Sequence, residues 1–80
     1  MEDTQILEKL TPIFRKVFND EDILVDMNLT SDNIDEWSSI TQMLMVAEVE
    51  KEFGITFKLF DVATMNSAKE IVAKIKSKLV

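Results

Sequence analysis

The chain has 80 residues, of which 46% are hydrophobic and 30% charged, and its formal net charge is −6. Such a length allows one domain, residues 1–80, with a single modest core. The negative charge disfavours nucleic acid and anionic lipid as partners and favours basic protein surfaces. Cys and His are absent, which removes disulfides, ordinary zinc sites and thiol or imidazole catalysis. The composition therefore does not indicate an enzyme.

Only one Gly and one Pro occur, so the chain has few of the residues that multi-strand folds need at their turns. An all-α fold is the natural expectation. No apolar run is long enough to span a bilayer, and the first residues are acidic where a signal peptide would be basic. We therefore expect a cytoplasmic monomer that does not insert into a membrane.

The first predicted helix covers residues 3–18 and begins with Asp3 or Thr4 as its cap. Pro12 lies inside the pattern and predicts a kink, because it lacks an amide donor. In the alternative, Thr11 is a cap and Pro12 is the first helical residue. One helix face is predicted to collect the apolar residues that recur every three or four positions: Ile6, Leu7, Leu10, Phe14 and Val17.

Residues 19–38 form a polar, acidic segment with scattered apolar residues, which predicts a long loop pinned to the core. Asp26, Asn28 and Thr30 match the start of a calcium loop. That motif needs Gly where Ser31 stands and a bidentate Glu where Trp37 stands, so no metal site is predicted.

The second predicted helix covers residues 39–53, has Ser38 or Ser39 as its cap, and ends at Gly54. Its apolar residues exceed one face. A second stripe beside the helix start predicts either a docking surface or a helix covered on both sides. One stripe is Met43, Val46, Val49 and Phe53, and the second stripe is Ile40, Leu44 and Ala47.

Residues 55–65 have room for one or two helical turns, and Asn66 or Ser67 caps a last helix that ends at Leu79. Its inward residues are predicted to be Ala68, Ile71, Val72, Ile75 and Leu79, and its outward ones Lys69, Lys74, Lys76 and Lys78. The three long helices together predict a core of Phe14, Val46, Val49, Phe53, Ile71 and Ile75.

Two short motifs bracket the second helix: Glu36-Trp37-Ser38-Ser39-Ile40 opens it, and Glu50-Lys51-Glu52-Phe53-Gly54-Ile55 closes it. With the long loop before them, they resemble the acyl carrier protein family over essentially the whole chain. The family has Asp-Ser-Leu at this helix start, often preceded by Trp. The resemblance implies an all-α, four-helix bundle with a long first loop and a short third helix. Ser38 replaces the usual Asp, and Leu44 stands where fatty acid carriers commonly have Glu.

The resemblance implies that Ser39 is the modified serine. A phosphopantetheinyl transferase would attach 4′-phosphopantetheine to it covalently from coenzyme A, using magnesium. The arm's thiol would carry acyl groups as thioesters to acyl-loading and acyl-transferring enzymes in fatty acid, polyketide or lipid biosynthesis. This agrees with the absence of Cys. From the residues alone, Ser39 is equally well a plain helix cap, and Trp37 either anchors the loop or lies beside the arm.

The same family meets its enzymes on the second helix, which implies an apolar contact ringed by acids. The residues predicted to form it are Asp35, Glu36, Ile40, Leu44, Ala47 and Glu48, with Glu52 at its edge. In the alternative, Leu44 packs against the first loop or the third helix. Two other functions stay open: a free-standing aminoacyl or peptidyl carrier, and an interaction domain of the same fold that is never modified. The Ser at position 38 favours the last.

Overall fold

Four α-helices follow one another in the computed structural model, which describes residues 1–79. They are α1 (Asp3–Val17), α2 (Ser39–Phe53), α3 (Leu59–Ala63) and α4 (Ala68–Leu79), with a 3-10 turn at Ser31–Asn33. The predicted all-α, four-helix architecture, with its long first loop and short third helix, is confirmed. None of the helices over residues 1–79 has the length and apolar character needed to cross a membrane.

The predicted inner face of α1 is confirmed, because Ile6, Leu10 and Phe14 are fully buried at the expected spacing. The helix runs on through Pro12, whose side chain is exposed, so the alternative in which Pro12 begins the helix is wrong. Its cap is Glu2 rather than Asp3 or Thr4: the Glu2 amide donates to Gln5 Oε1 at 2.8 Å.

Thr11 connects α1 to the long loop. Its hydroxyl donates to the Leu7 carbonyl at 3.1 Å and accepts from the Val25 amide at 3.2 Å. Thr11 is buried, and a hydroxyl without partners would be costly in the core. These two bonds satisfy it. Val25, Ile23 and Ile34 are buried, as a pinned loop requires, whereas Leu24 is 69% exposed.

The far end of the loop is fastened to the start of α4. The Ala68 amide donates to the Leu29 carbonyl at 2.8 Å, and the Ser31 amide donates to the Asn66 carbonyl at 2.9 Å. Thr30 and Ser67 form an isolated antiparallel bridge between them. Ser67 Oγ also accepts from the Glu70 amide at 3.2 Å, so Ser67, not Asn66, caps α4.

The bounds of α2 are those predicted, and Gly54 ends it in the left-handed region with φ 65°, which glycine adopts without strain. The first apolar stripe of α2 does not lie wholly inside. Met45 is fully buried, whereas Met43 is 67% exposed. At 100° per residue, Met43 lies about 120° around the helix from Val49, and Met45 lies nearly in line with it.

The remaining core predictions hold except near the helix ends. Phe14, Val46, Val49, Ile71 and Ile75 are buried as expected. Phe53, in the last turn of α2, is only partly buried. Leu79, at the end of α4, is 40% exposed rather than inward.

Candidate functional site

Ser38 and Ser39 are adjacent at the start of α2 but have different surroundings. Ser38 is the cap: its Oγ accepts from the Thr41 amide at 3.3 Å, and its own amide donates to Thr41 Oγ1 at 2.7 Å. The Ser39 side chain is exposed, and no other residue within 1–79 is hydrogen-bonded to its hydroxyl. Ser38 is therefore engaged in closing the helix start, while the Ser39 hydroxyl is free to react.

Trp37, directly before these serines, packs on the aromatic side chains of α1. Its ring centroid lies 5.5 Å from that of Phe14, edge-on, and 5.3 Å from that of Phe18. The indole Nε1 donates to Gln42 Oε1 at 3.2 Å. These contacts support the reading of Trp37 as the anchor of the loop, and they hold the chain in place immediately ahead of Ser39.

A groove of about 290 Å³ runs between α2 and α3 and begins at Ser39. A second groove of about 370 Å³ continues from it toward Glu50 and Phe57. The two share the same three apolar side chains, so they form one continuous depression along α3. Those shared residues are Met43, Leu59 and Val62.

The side of α3 facing α4 is held by Asp61. Its carboxylate lies 3.5 Å from Lys74 Nζ and 3.3 Å from Lys78 Nζ, and it accepts from the Lys58 amide at 3.1 Å. The hydrogen bond from Lys58, aided by the two lysines and opposed by partial burial, lowers the pKa of Asp61. Lys74 and Lys78, expected to point outward, thus fold back onto α3.

The second stripe of α2 is open to solvent. Ile40 is 72% exposed, Leu44 is 54% exposed, and Ala47 is exposed on the same face. Leu44 therefore does not lie packed beneath the loop or α3. The exposed apolar surface also reaches α3, where Leu59 and Phe60 are 85% and 76% exposed.

The acidic residues predicted to ring this surface divide into two groups. Asp35 and Glu36 are exposed in the loop just before α2. Glu48 lies toward α1, where Lys16 Nζ is 3.3 Å from its Oε1, and Glu52 lies 3.5 Å from Lys9. Within the described chain, no group of three or more potential metal-ligating residues is brought together.

No family model matches the chain, and no curated protein matches it. Among solved structures, it is similar to the solution NMR structure of the holo acyl carrier protein from Geobacter metallireducens. The two are 30% identical with a TM-score of 0.82, and the match covers 91% of this chain and 84% of that one. The chain belongs to the acyl carrier protein family. An acyl carrier protein is a carrier, not a catalyst, in keeping with the lack of Cys and His.

In this acyl carrier protein, sequence reasoning overlooked Gln42. It is a partly buried polar residue in the first turn of α2, and it bonds both Trp37 and the Val62 carbonyl. Nothing in the neighbouring sequence identifies partners five and twenty residues away. The exposure of Met43, Leu59 and Phe60 was also not anticipated.

Proposed function

We propose that this chain carries acyl groups as thioesters on a 4′-phosphopantetheine arm attached to Ser39. The observation that most supports this is the free, exposed hydroxyl of Ser39 beside a Ser38 that is occupied as the helix cap. The structural relative is a holo acyl carrier protein, which supports the same modification here.

For arm attachment, the chain itself has to supply only the hydroxyl of Ser39. A phosphopantetheinyl transferase would join Ser39 Oγ to the phosphorus of the phosphopantetheine half of coenzyme A, the serine proton would leave, and the nucleotide half would depart. The positive end of the α2 dipole favours the resulting phosphodiester. The arm supplies a thiol, which this polypeptide lacks.

The groove beside Ser39 supports acyl cargo over aminoacyl cargo. Met43, Leu59 and Val62 line both halves of it, so an aliphatic chain folding back from the arm would exchange water for apolar contact. A charged aminoacyl group would gain little there. Acyl groups of fatty acid, polyketide or lipid biosynthesis fit this lining.

Partner enzymes would dock on the exposed face formed by Ile40, Leu44 and Ala47, with Asp35 and Glu36 beside Ser39. The partners include the transferase and the acyl-loading and acyl-transferring enzymes. Each would present an apolar contact flanked by Lys or Arg near the arm. Glu48 lies at the edge of this surface, where it forms an ion pair with Lys16. The proposal includes a cytoplasmic, monomeric carrier.

Intact mass after incubation with a phosphopantetheinyl transferase, coenzyme A and Mg²⁺ tests the site. The wild type should gain one phosphopantetheine group, Ser39→Ala should gain none, and Ser38→Ala, the matched control, should still gain it. Loss of the gain in Ser38→Ala with retention in Ser39→Ala would move the site by one residue. A wild type that gains nothing would favour the unmodified interaction domain.

A further inference from the structure

Helix α3 is held by the partly buried side chain of Val62, which packs against the core, and by several polar contacts. None of its five residues is buried, and Leu59 and Phe60 point into solvent. Three links fix its position: the Asp61 carboxylate to the lysines of α4, Glu50 Oε2 accepting from the Phe57 amide at 2.8 Å, and Gln42 Nε2 donating to the Val62 carbonyl at 2.6 Å. The third link alone joins two residues that line the groove at Ser39.

The Gln42 side chain has a partner at each end. An indole N–H only donates and a backbone carbonyl only accepts, so the orientation of the amide is determined. Oε1 must face Trp37 and Nε2 must face Val62. Rotating the amide would break both bonds together, and moving Val62 away would leave Nε2 without its acceptor.

We infer that Gln42 is a positioning residue that couples cargo in the groove to Trp37 and the loop ahead of Ser39. The inference rests on the proposed carrier function. Cargo that fills the groove contacts Met43 and Val62, and cargo large enough to displace Val62 from α2 would break the 2.6 Å bond from Gln42 to the Val62 carbonyl. Once released, the amide no longer has a fixed orientation toward the indole of Trp37.

Release of the Trp37 indole would also affect the docking surface, because Trp37 is connected to it through the backbone. Trp37 follows Asp35 and Glu36 directly, and its ring anchors them to α1 through Phe14 and Phe18. A change at the indole therefore alters how these two acids are presented beside the arm. An enzyme that contacts these two acids can distinguish the loaded carrier from the empty one, because the two forms differ in the hydrogen bonds of Gln42 to Trp37 and Val62.

A purely structural role for Gln42 gives a different expectation. If Gln42 only held α3 in place, its replacement would lower the stability of the chain, but the indole of Trp37 would not respond to cargo in any variant. The chain contains a single Trp, so the Nε1–H resonance in a nitrogen-proton NMR spectrum reports this one position.

The test compares the holo form with an octanoyl form made by the transferase from octanoyl-coenzyme A. In the wild type, the side-chain resonances of Met43, Leu59 and Val62 should shift with cargo, and the indole resonance should shift with them. In Gln42→Met, which removes both bonds, the groove resonances should still shift and the indole should not. Gln42→Glu keeps the acceptor for Trp37 but lacks the donor to Val62, so it should also lose the cargo response. Asn66→Ala, a groove-lining control that leaves Gln42 intact, should retain it.

The coupling is overturned if the groove resonances shift in the wild type without the indole, if the indole shifts equally in Gln42→Met, or if cargo moves none of the groove resonances. The intact mass of each variant is measured first, before the NMR spectra of its holo and octanoyl forms are compared. A chain that takes up no arm therefore overturns the carrier function, and the coupling with it. A holo chain with an unresponsive indole overturns the coupling alone.

Discussion

The indole of Trp37 stands nearly perpendicular to the ring of Phe14, at an interplanar angle of 89° and a centroid distance of 5.5 Å. This edge-to-face contact joins the loop before Ser39 to the last turn of α1. Such pairs contribute about 0.5–1.5 kcal/mol beyond the area they bury. The placement of Ser39 thus depends on an aromatic contact with the core.

Replacing Trp37 by Ala should lower the free energy of unfolding by about 3 kcal/mol, the lower end for large aromatic residues, because the ring is partly exposed. Trp37→Phe keeps a ring against Phe14 but loses the bond to Gln42, and should cost about 1 kcal/mol. Urea unfolding followed by circular dichroism measures both variants. A loss below about 1 kcal/mol for the Ala variant would show that the ring is not an anchor.

Two methionines on α2 form a matched pair that tests which face is inside. Met45→Ala should cost about 2–5 kcal/mol because the side chain is fully buried. Met43→Ala should change stability by no more than about 0.5 kcal/mol, because that side chain is 67% exposed. Thermal and urea unfolding of the two variants give the comparison. Equal losses would place both residues in the core and contradict the observed face.

Leu44→Glu should leave folding and arm attachment largely intact, because Leu44 is 54% exposed. It should weaken docking to the acyl-transferring enzyme, since a charge replaces an apolar contact at the centre of the proposed surface. Leu79→Glu, an exposed leucine on α4, is the matched control. Unfolding temperature and acyl-transfer kinetics on both variants are the measurements. A large fall in stability with unchanged transfer would contradict the docking surface.

Asp61 should make part of the stability dependent on pH. Its pKa is lowered in the folded chain, chiefly by the hydrogen bond from the Lys58 amide, so the stabilisation is present above the unfolded value and is lost as pH falls through the folded one. Asp61→Asn should be less stable than the wild type near neutrality, and the difference should shrink below about pH 4. A difference that stays constant down to acid pH would contradict the role of the charge.

Periodicity was sufficient to predict α1, α2 and α4, because each has apolar residues at helical spacing over several turns. It could not decide which side of α2 is inside, since that helix has enough apolar residues for two faces; hence Met43 was grouped in one stripe with Val46 and Val49, and Met45 was missed. Two adjacent serines also left the cap uncertain by one residue. Only the bonds to Thr41 distinguish Ser38 from Ser39.

The link from Gln42 to Val62 lay beyond sequence reasoning for another reason. The two residues are far apart in the chain, and neither belongs to a motif with a defined spacing. Likewise, Phe53 and Leu79 fit the apolar pattern of their helices but lie in last turns, where burial depends on how far the neighbouring helices extend. Helix pattern determines which side faces inward, whereas tertiary contacts determine how much of it is covered.

The bonds from Leu29 and Ser31 to the start of α4 divide the long loop into two parts with different tolerance to changes in length. An insertion next to Asn28, which is exposed in the turn that starts at Asp26, adds only a small loop-closure entropy because it lies ahead of these bonds. An insertion after Asn33 would shift Trp37 away from Phe14 and Ser39 away from the groove, because that stretch is held at both ends. The first part can therefore be lengthened, whereas the second must keep a fixed length between α4 and Ser39.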